Sequence, residues 1–340
     1  MKFIKSLNPL GRKLLFFVAL LISTMILCPY AQATNEEFEI INNVLIKYNG
    51  SENEVRIPDG VTIIGEKAFE YCTCERIIIP QSVTQIDDHA FEFCENLTSV
   101  SIPNSVTKIG NWVFSYCTSL KAIVLPDSIT SMGIATFDCC SSLEYAHLPA
   151  HIQVLPAYTF SFCESLVSVD LPTDIIYVEI QVFFECNSMR SITIPQSVIC
   201  IMSKAFSRCA RLTDLYIEGN NPEFYFMDAD LFKASYSFGT IHTNNAFVLQ
   251  WAAENSIKTD NKPSPSSDIL HLPSDLTVIN TEAFSGANAA VIIVPASVLR
   301  IEPSAFANNN NLQVVIIQNP NTEYDDSIIT GSPNASIVHP

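Results

Sequence analysis

The chain has 340 residues, a formal net charge of −17 and a hydrophobic share of 48%. An acidic balance of that size repels phosphate backbones and anionic membrane surfaces, so nucleic acid is not an expected partner. The sequence contains no G-x-S-x-G, H-E-x-x-H or glycine-rich phosphate loop and only 10 glycines in all, so neither an enzyme nor a cofactor is expected.

Residues 1–33 have the three parts of a secretory signal peptide. Lys2, Lys5, Arg12 and Lys13 form a basic start, Leu14 to Cys28 is an apolar run, and Ala31-Gln32-Ala33 offers a small-x-small cleavage site. The run is short for a membrane span. An uncleaved anchor and lipidation at Cys28 are the alternatives, the latter with the wrong neighbours in Leu27 and Pro29. Cleavage predicts a secreted or surface-associated chain that begins at Thr34, has no integral span and carries a net charge of −21, since the leader holds four basic residues and no acid.

From residue 58 to residue 209 one pattern recurs seven times. A proline is followed by an aliphatic residue at +3 and +6, a phenylalanine at +11 and a cysteine at +14. The prolines are Pro58, Pro80, Pro103, Pro126, Pro149, Pro172 and Pro195, and the phenylalanines Phe69, Phe91, Phe114, Phe137, Phe160, Phe183 and Phe206. The spacing is constant apart from a single deletion in the first copy, and a fixed period of about 23 residues predicts stacked units sharing one continuous core. Within a copy, the segment before the proline alternates like a half-buried strand, as in Ser99-Val100-Ser101-Ile102. The proline ends it, and a second extended piece such as Val106 to Ile109 follows on the opposite wall. The Ala-Phe pair then starts a turn or short helix that places Phe and Cys in the core.

Eleven cysteines in a secreted chain would ordinarily suggest a disulfide framework. Here Cys72, Cys94, Cys117, Cys140, Cys163, Cys186 and Cys209 fill one column of the stack, which reads as small buried thiols. A stacking distance of roughly 4.8 Å also permits bridges between neighbours, although an odd number cannot all pair. Cys74 takes a position that is leucine in other copies, which makes Cys72-x-Cys74 a core substitution rather than a metal knuckle, and no metal site is expected. Cys139 and Cys200 fall on variable positions and are the expected reactive thiols.

After Ile217 a glutamate replaces the expected proline, and residues 218–258 read as a different unit. Ala246 to Asn255 lacks helix breakers and spaces Phe247, Leu249, Trp251 and Ala252 for an amphipathic helix. Residues 259–268, with Pro263, Pro265 and three serines, read as a linker. Two further copies follow in 269–340, at Pro273/Phe284 and Pro295/Phe306, with Ala287 and Asn309 in the cysteine column and a third copy that fades.

The string Ile79-Pro80-Gln81-Ser82-Val83 through Ala90-Phe91, Cys94 and Leu97 resembles the BspA-like leucine-rich repeat, a family of secreted or cell-surface proteins of bacteria and protists, some of them adhesins. The resemblance runs over residues 55–217 and returns at 269–318. It implies a strand-rich α/β-type repeat solenoid with caps: residues 34–54, and Phe38 to Tyr48 in particular, look like the N-terminal cap, and 218–258 like the closing element. It also implies a binding or adhesion role toward a protein or glycan, such as host matrix or a cell surface. A structural or targeting segment of a larger surface protein is the alternative.

Counting back from each proline puts Tyr145, His147, Ser168, Asp170, Asp214 and Tyr216 on the outward face of the concave strands. His147, Ser168 and Asp170 superficially resemble a catalytic triad, but a flat sheet supplies neither a strained nucleophile turn nor free oxyanion donors. The candidate ligand patch is therefore Tyr145, His147, Asp170, Asp214 and Tyr216, because aromatic and charged groups on a rigid surface are what recognition uses.

Overall fold

A computed structural model describes residues 37–226, 229–263, 269–287, 289–319 and 321–339. The signal-peptide expectation lies outside these residues. The chain winds into a succession of short parallel strands, about 12 turns of roughly 23 residues among the described residues. One wall carries the pre-proline strands, such as Arg76–Ile78, Ser99–Ser101, Ala122–Val124, Tyr145–His147 and Ser168–Asp170. Their registers join residues one repeat apart: Tyr145 lies between Ala122 and Ser168, and His147 between Val124 and Asp170. A second wall carries two-residue strands such as Gln85–Ile86 and Lys108–Ile109.

The core is a set of columns. Phe69, Phe91, Phe114, Phe137, Phe160, Phe183 and Phe206 are buried and stack with ring centroids 5.1 to 5.7 Å apart. Each buried ring contributes about 1.5–3 kcal/mol, which a lone repeat could not collect because its faces would be open. Ahead of the first repeat lies an antiparallel hairpin, Phe38–Ile41 with Val44–Tyr48, whose second strand pairs with Ile63–Ile64. Tyr48 lies 5.1 Å from Phe69 and continues the aromatic column.

The Phe-Cys segment forms a turn, and it makes a third ladder. Residues two before and two after each phenylalanine have left-handed backbones, for example Lys67 (φ 61°) and Tyr71 (φ 62°) around Phe69. Lys67, Phe69 and Tyr71 donate their N–H groups to the carbonyls of Asp88, Ala90 and Glu92 in the next copy. Left-handed residues at alternate positions thus turn alternate amides along the stack axis. The cost, about 1–2 kcal/mol per non-glycine residue, is offset by a hydrogen bond that would otherwise be lost in the interior.

The cysteines do more than fill space. Cys94, Cys117, Cys140, Cys163, Cys186 and Cys209 each donate their Sγ–H to the carbonyl of the phenylalanine one copy earlier, at 3.0 to 3.3 Å. All ten described cysteines are free. Burial raises the thiol pKa of Cys117, Cys163 and Cys186 well above the ordinary value and pushes that of Cys209 up to about 12. Cys72 departs from the expected burial: it is partly exposed, and its Sγ accepts from the Cys74 amide at 3.3 Å. Cys200, expected to be reactive, is buried.

Residues 218–258 continue the winding rather than replacing it. Tyr225–Phe226 pairs with Cys200–Ile201, and Thr240–Thr243 pairs with Asp214–Ile217. Phe232 stacks on Phe206 at 5.8 Å, and Ser235 donates to the Phe206 carbonyl at 2.7 Å in the place of a cysteine. Both come three positions later than the repeat requires, and that insertion hid the copy from a fixed-period reading. A nine-residue helix, α1 (Ala246–Glu254), follows, with Asn245 accepting from the Phe247 and Val248 amides as its N-cap. Lys258–Asp260 then adds a last strand beside Thr240–His242, so Thr259 and Asp260, expected in the linker, belong to the wall. No described helix is long and apolar enough to cross a membrane.

Residues 269–338 wind in the same way about their own core of Leu272, Ile279, Val298, Ile301, Phe306 and Leu312. Their wall strands, Ile269–His271, Val291–Val294, Val314–Ile317 and Ser336–Val338, are paired in parallel. Val291–Val294 and Val314–Ile317 are buried on both faces. The inner face fills the core, and the outer face packs against the first block.

Candidate functional site on the concave wall

The outward side chains Ile269, Val291, Ile293, Val314, Ile316 and Val338 form one apolar cluster with Ala122 and Tyr145 of the first block. The two concave sheets therefore meet face to face. This arrangement differs from the open polar wall expected at those strands. Tyr145 is fully buried, and its hydroxyl has no hydrogen-bond partner among the described residues. Burial in apolar surroundings raises the pKa of that phenol, and the neighbouring Asp170 charge adds to the shift.

Polar contacts ring the apolar centre. The Asp170 carboxylate meets His271 Nε2 at 2.6 Å, and Ser336 donates its hydroxyl to Glu144 at 3.0 Å. The ring of His147 lies 6.2 Å from that of His271, edge to face, and its Nε2 is 4.0 Å from Asp127. Burial lowers the His147 pKa and raises that of Glu144. Asp170 is thus engaged by the second block, and among the described residues no Ser168–His147 hydrogen bond exists to start a relay.

Asp214 and Tyr216 lie beyond this covered region and remain half-exposed. The register that aligns Tyr216 with His242, and the added strand with Asp260, builds a cluster that the sequence reading missed. His242 is buried, with Nε2 2.7 Å from Asp214 and Nδ1 against Asp260. Its ring stacks on Tyr216 at 4.3 Å. Two carboxylates on one imidazole fix its orientation, and both ring nitrogens donate when it is protonated. Burial alone would raise the Asp214 pKa, but hydrogen bonds from Thr213 and His242 outweigh it and leave the group below its ordinary value. Asp260 is lowered chiefly by His242. The clue in the sequence was the lengthened copy, whose three-position insertion places His242 in the same row as Tyr216. Among the described residues no group of three or more His, Cys, Asp or Glu side chains is placed to hold a metal ion.

The sequence model of the BspA type leucine-rich repeat region matches residues 39–167, 153–248 and 264–339 with six copies. The chain belongs to that leucine-rich repeat family, and its strand-rich solenoid is the family's fold. Among solved structures it is similar to a leucine-rich repeat protein of T. pallidum, at 27% identity over 52% of this chain and 89% of that one, with a TM-score of 0.48. A leucine-rich cell surface protein from Faecalibacterium prausnitzii A2-165 matches at 20% identity over 89% and 92% of the two chains, with a TM-score of 0.45. A leucine-rich repeat protein from Bacteroides ovatus ATCC 8483 matches at 21% identity over 88% and 97%, with a TM-score of 0.44. No curated protein matches the sequence.

Proposed function

We propose that the chain is a secreted or surface-associated recognition module that binds a protein or glycan, in an adhesive role, through the uncovered end of its concave wall. Asp214 and Tyr216 form the centre of this contact, with His242 and Asp260 holding them; His147 and Asp170 flank it at the edge of the covered region. The observation that carries the reading is the stack of Tyr216 on His242, with that imidazole pinned by two carboxylates on adjacent strands. A half-exposed aromatic held rigid beside fixed charge binds with little ordering cost. A wall of short paired strands suits an extended partner better than a small metabolite, which needs an enclosed apolar pocket.

The test compares Asp214→Asn with Tyr216→Ala, made together, against Lys108→Ala with Ser131→Ala on the opposite wall. Each protein is assayed for adhesion to immobilised host-matrix proteins, cells and glycans. Selective loss in the first pair supports the reading, and equal binding by both pairs removes the interaction from the concave wall.

A structural role in a larger surface assembly is the second reading. It is favoured by one feature, the burial of Tyr145 and its neighbours under the second block, which spends part of the concave wall on an internal contact. Wild-type protein that adheres to none of these surfaces supports it.

A further inference from the structure

At one edge of the contact between the blocks lies a cleft of about 440 Å³, bounded by Ser188, Arg190 and Arg211 on one side and Asn310, Asn311, Gln313 and Asn334 on the other. That volume is within the range of small-ligand sites, about 300–1,000 Å³. Its composition is unusual for this chain. The protein carries 35 acidic against 18 basic residues, yet two arginines and no carboxylate line this cleft.

The placement follows from the repeat. Arg211 occupies the row of Ser188, one repeat on, and Arg190 stands immediately before the strand Ser191–Ile194 that lies between them in sequence. The second block presents the same rows: Asn311 and Asn334 are one repeat apart, two positions after the column residues Asn309 and Ser332. Equivalent turns of the two blocks therefore face each other, one side cationic and the other amide-rich.

Two acids of the same wall are engaged elsewhere. Glu144 accepts from Ser336, and Asp214 is held by Thr213 and His242. Neither Arg190 nor Arg211 has an ion-pair or side-chain hydrogen-bond partner among the described residues. Two guanidiniums without counter-charge offer planar, paired donors matched to a carboxylate. The amides opposite, and Ser188 beside the arginines, combine donor with acceptor, which is what vicinal hydroxyls require. A phosphate would use the charge and waste the amides, and a peptide would present apolar side chains to a cleft with only Ala290 to receive them.

We propose that this cleft between the blocks binds an acidic saccharide, its carboxylate on Arg190 and Arg211 and its hydroxyls on Asn310, Gln313 and Asn334. The site is independent of the Asp214–Tyr216 contact, although a long glycan could occupy both.

The experiment is isothermal titration of the full chain with tri-galacturonate, maltotriose as its neutral counterpart, tri-glutamate and inorganic phosphate. Arg190→Gln with Arg211→Gln is the test variant and Arg56→Gln the control, each checked for an unchanged circular dichroism spectrum. Binding of tri-galacturonate alone, weakened more than about tenfold in the double variant and unchanged in the control, supports the site, since loss of one charge-assisted pair is of that order. An Asn334→Ala variant separates sugar from bare charge, because it should weaken tri-galacturonate severalfold. Equal affinity for tri-glutamate or phosphate overturns the saccharide assignment. No binding of tri-galacturonate, or binding indifferent to the arginines, overturns the site.

Discussion

Tyr145 gives the sharpest test of how the two blocks meet, because two substitutions there should act in opposite directions. The side chain is fully buried among Ile269, Val291, Ile293, Val314 and Ile316, while its hydroxyl has no partner among the described residues. Tyr145→Phe removes a buried unpaired oxygen and keeps the ring. An unsatisfied buried hydroxyl costs about 1–3 kcal/mol, so this variant should be more stable by about 1–2 kcal/mol. Tyr145→Ala deletes the ring and leaves a cavity, a change that costs about 3–5 kcal/mol for a buried aromatic. If the second block instead left the wall open, Tyr145 would be a surface residue and both changes would stay within about 0.5 kcal/mol. The assay is urea unfolding of the full chain followed by circular dichroism, with hydrogen exchange read on strands Ala122–Val124, Ser168–Asp170 and Val291–Val294. Exchange should slow at all three in Tyr145→Phe and quicken in Tyr145→Ala. Two near-neutral variants, or a destabilising Tyr145→Phe, would refute the face-to-face contact.

Three further outcomes follow from the columns and the histidine cluster. Cys117→Ala should cost about 1–3 kcal/mol by thermal or urea unfolding, since the Phe91 carbonyl it leaves still accepts from the Cys94 amide; Cys117→Ser should recover part of the loss, as Ser235 and Ser332 already make the equivalent bond. In the native state at pH 8, alkylation followed by mass spectrometry should find Cys72 first, because it is partly exposed and its interaction with Cys74 lowers its pKa. Cys139, pushed up to about 11 by burial, should react slowly, and Cys200 only after denaturation. Asp214 and Asp260 titrate below their unfolded values, so the stability they contribute is complete above about pH 4 and is lost as pH falls through the depressed values. Acid unfolding of the strands Asp214–Ile217 and Lys258–Asp260, read by hydrogen exchange, should therefore flatten in a variant carrying Asp214→Asn and Asp260→Asn.

The repeat was legible because each column keeps one side-chain type at one spacing: Phe69 through Phe206 and Cys94 through Cys209 are inward in the structure as their recurrence requires. The expanded copy was not legible, since Phe232 and Ser235 come three positions late and serine replaces cysteine. What serine and cysteine share is a donor for the phenylalanine carbonyl, so the column selects a hydrogen bond as well as a volume. The contact between blocks was written in a different place, the outward positions of the second block. Val291, Ile293, Val314 and Ile316 are apolar where Ser99, Ser101, Ser168 and Asp170 are polar, and a sheet that is apolar on both faces needs a second cover. Strand alternation alone says that such a cover exists, and only the fold shows that Tyr145 receives it.

The left-handed ladder had no sequence signature, because this protein builds it, Gly286 apart, with ordinary residues rather than glycine, and it yields a last test. Gln181 has φ 55°, donates its amide to the Ser203 carbonyl in the next copy and makes no side-chain hydrogen bond among the described residues. Glycine there removes a left-handed penalty of about 1–2 kcal/mol and adds about 0.5–1 kcal/mol of unfolded-state entropy, so Gln181→Gly should range from neutral to about 1.5 kcal/mol more stable. Gln181→Val puts a β-branched side chain on the same backbone and should destabilise by more than about 1 kcal/mol, roughly the penalty for a bulky residue in that region. Urea midpoints of the two variants decide it. A glycine variant that loses as much stability as the valine variant would mean that Gln181 is not held left-handed, and that the third ladder is not built from alternating amides.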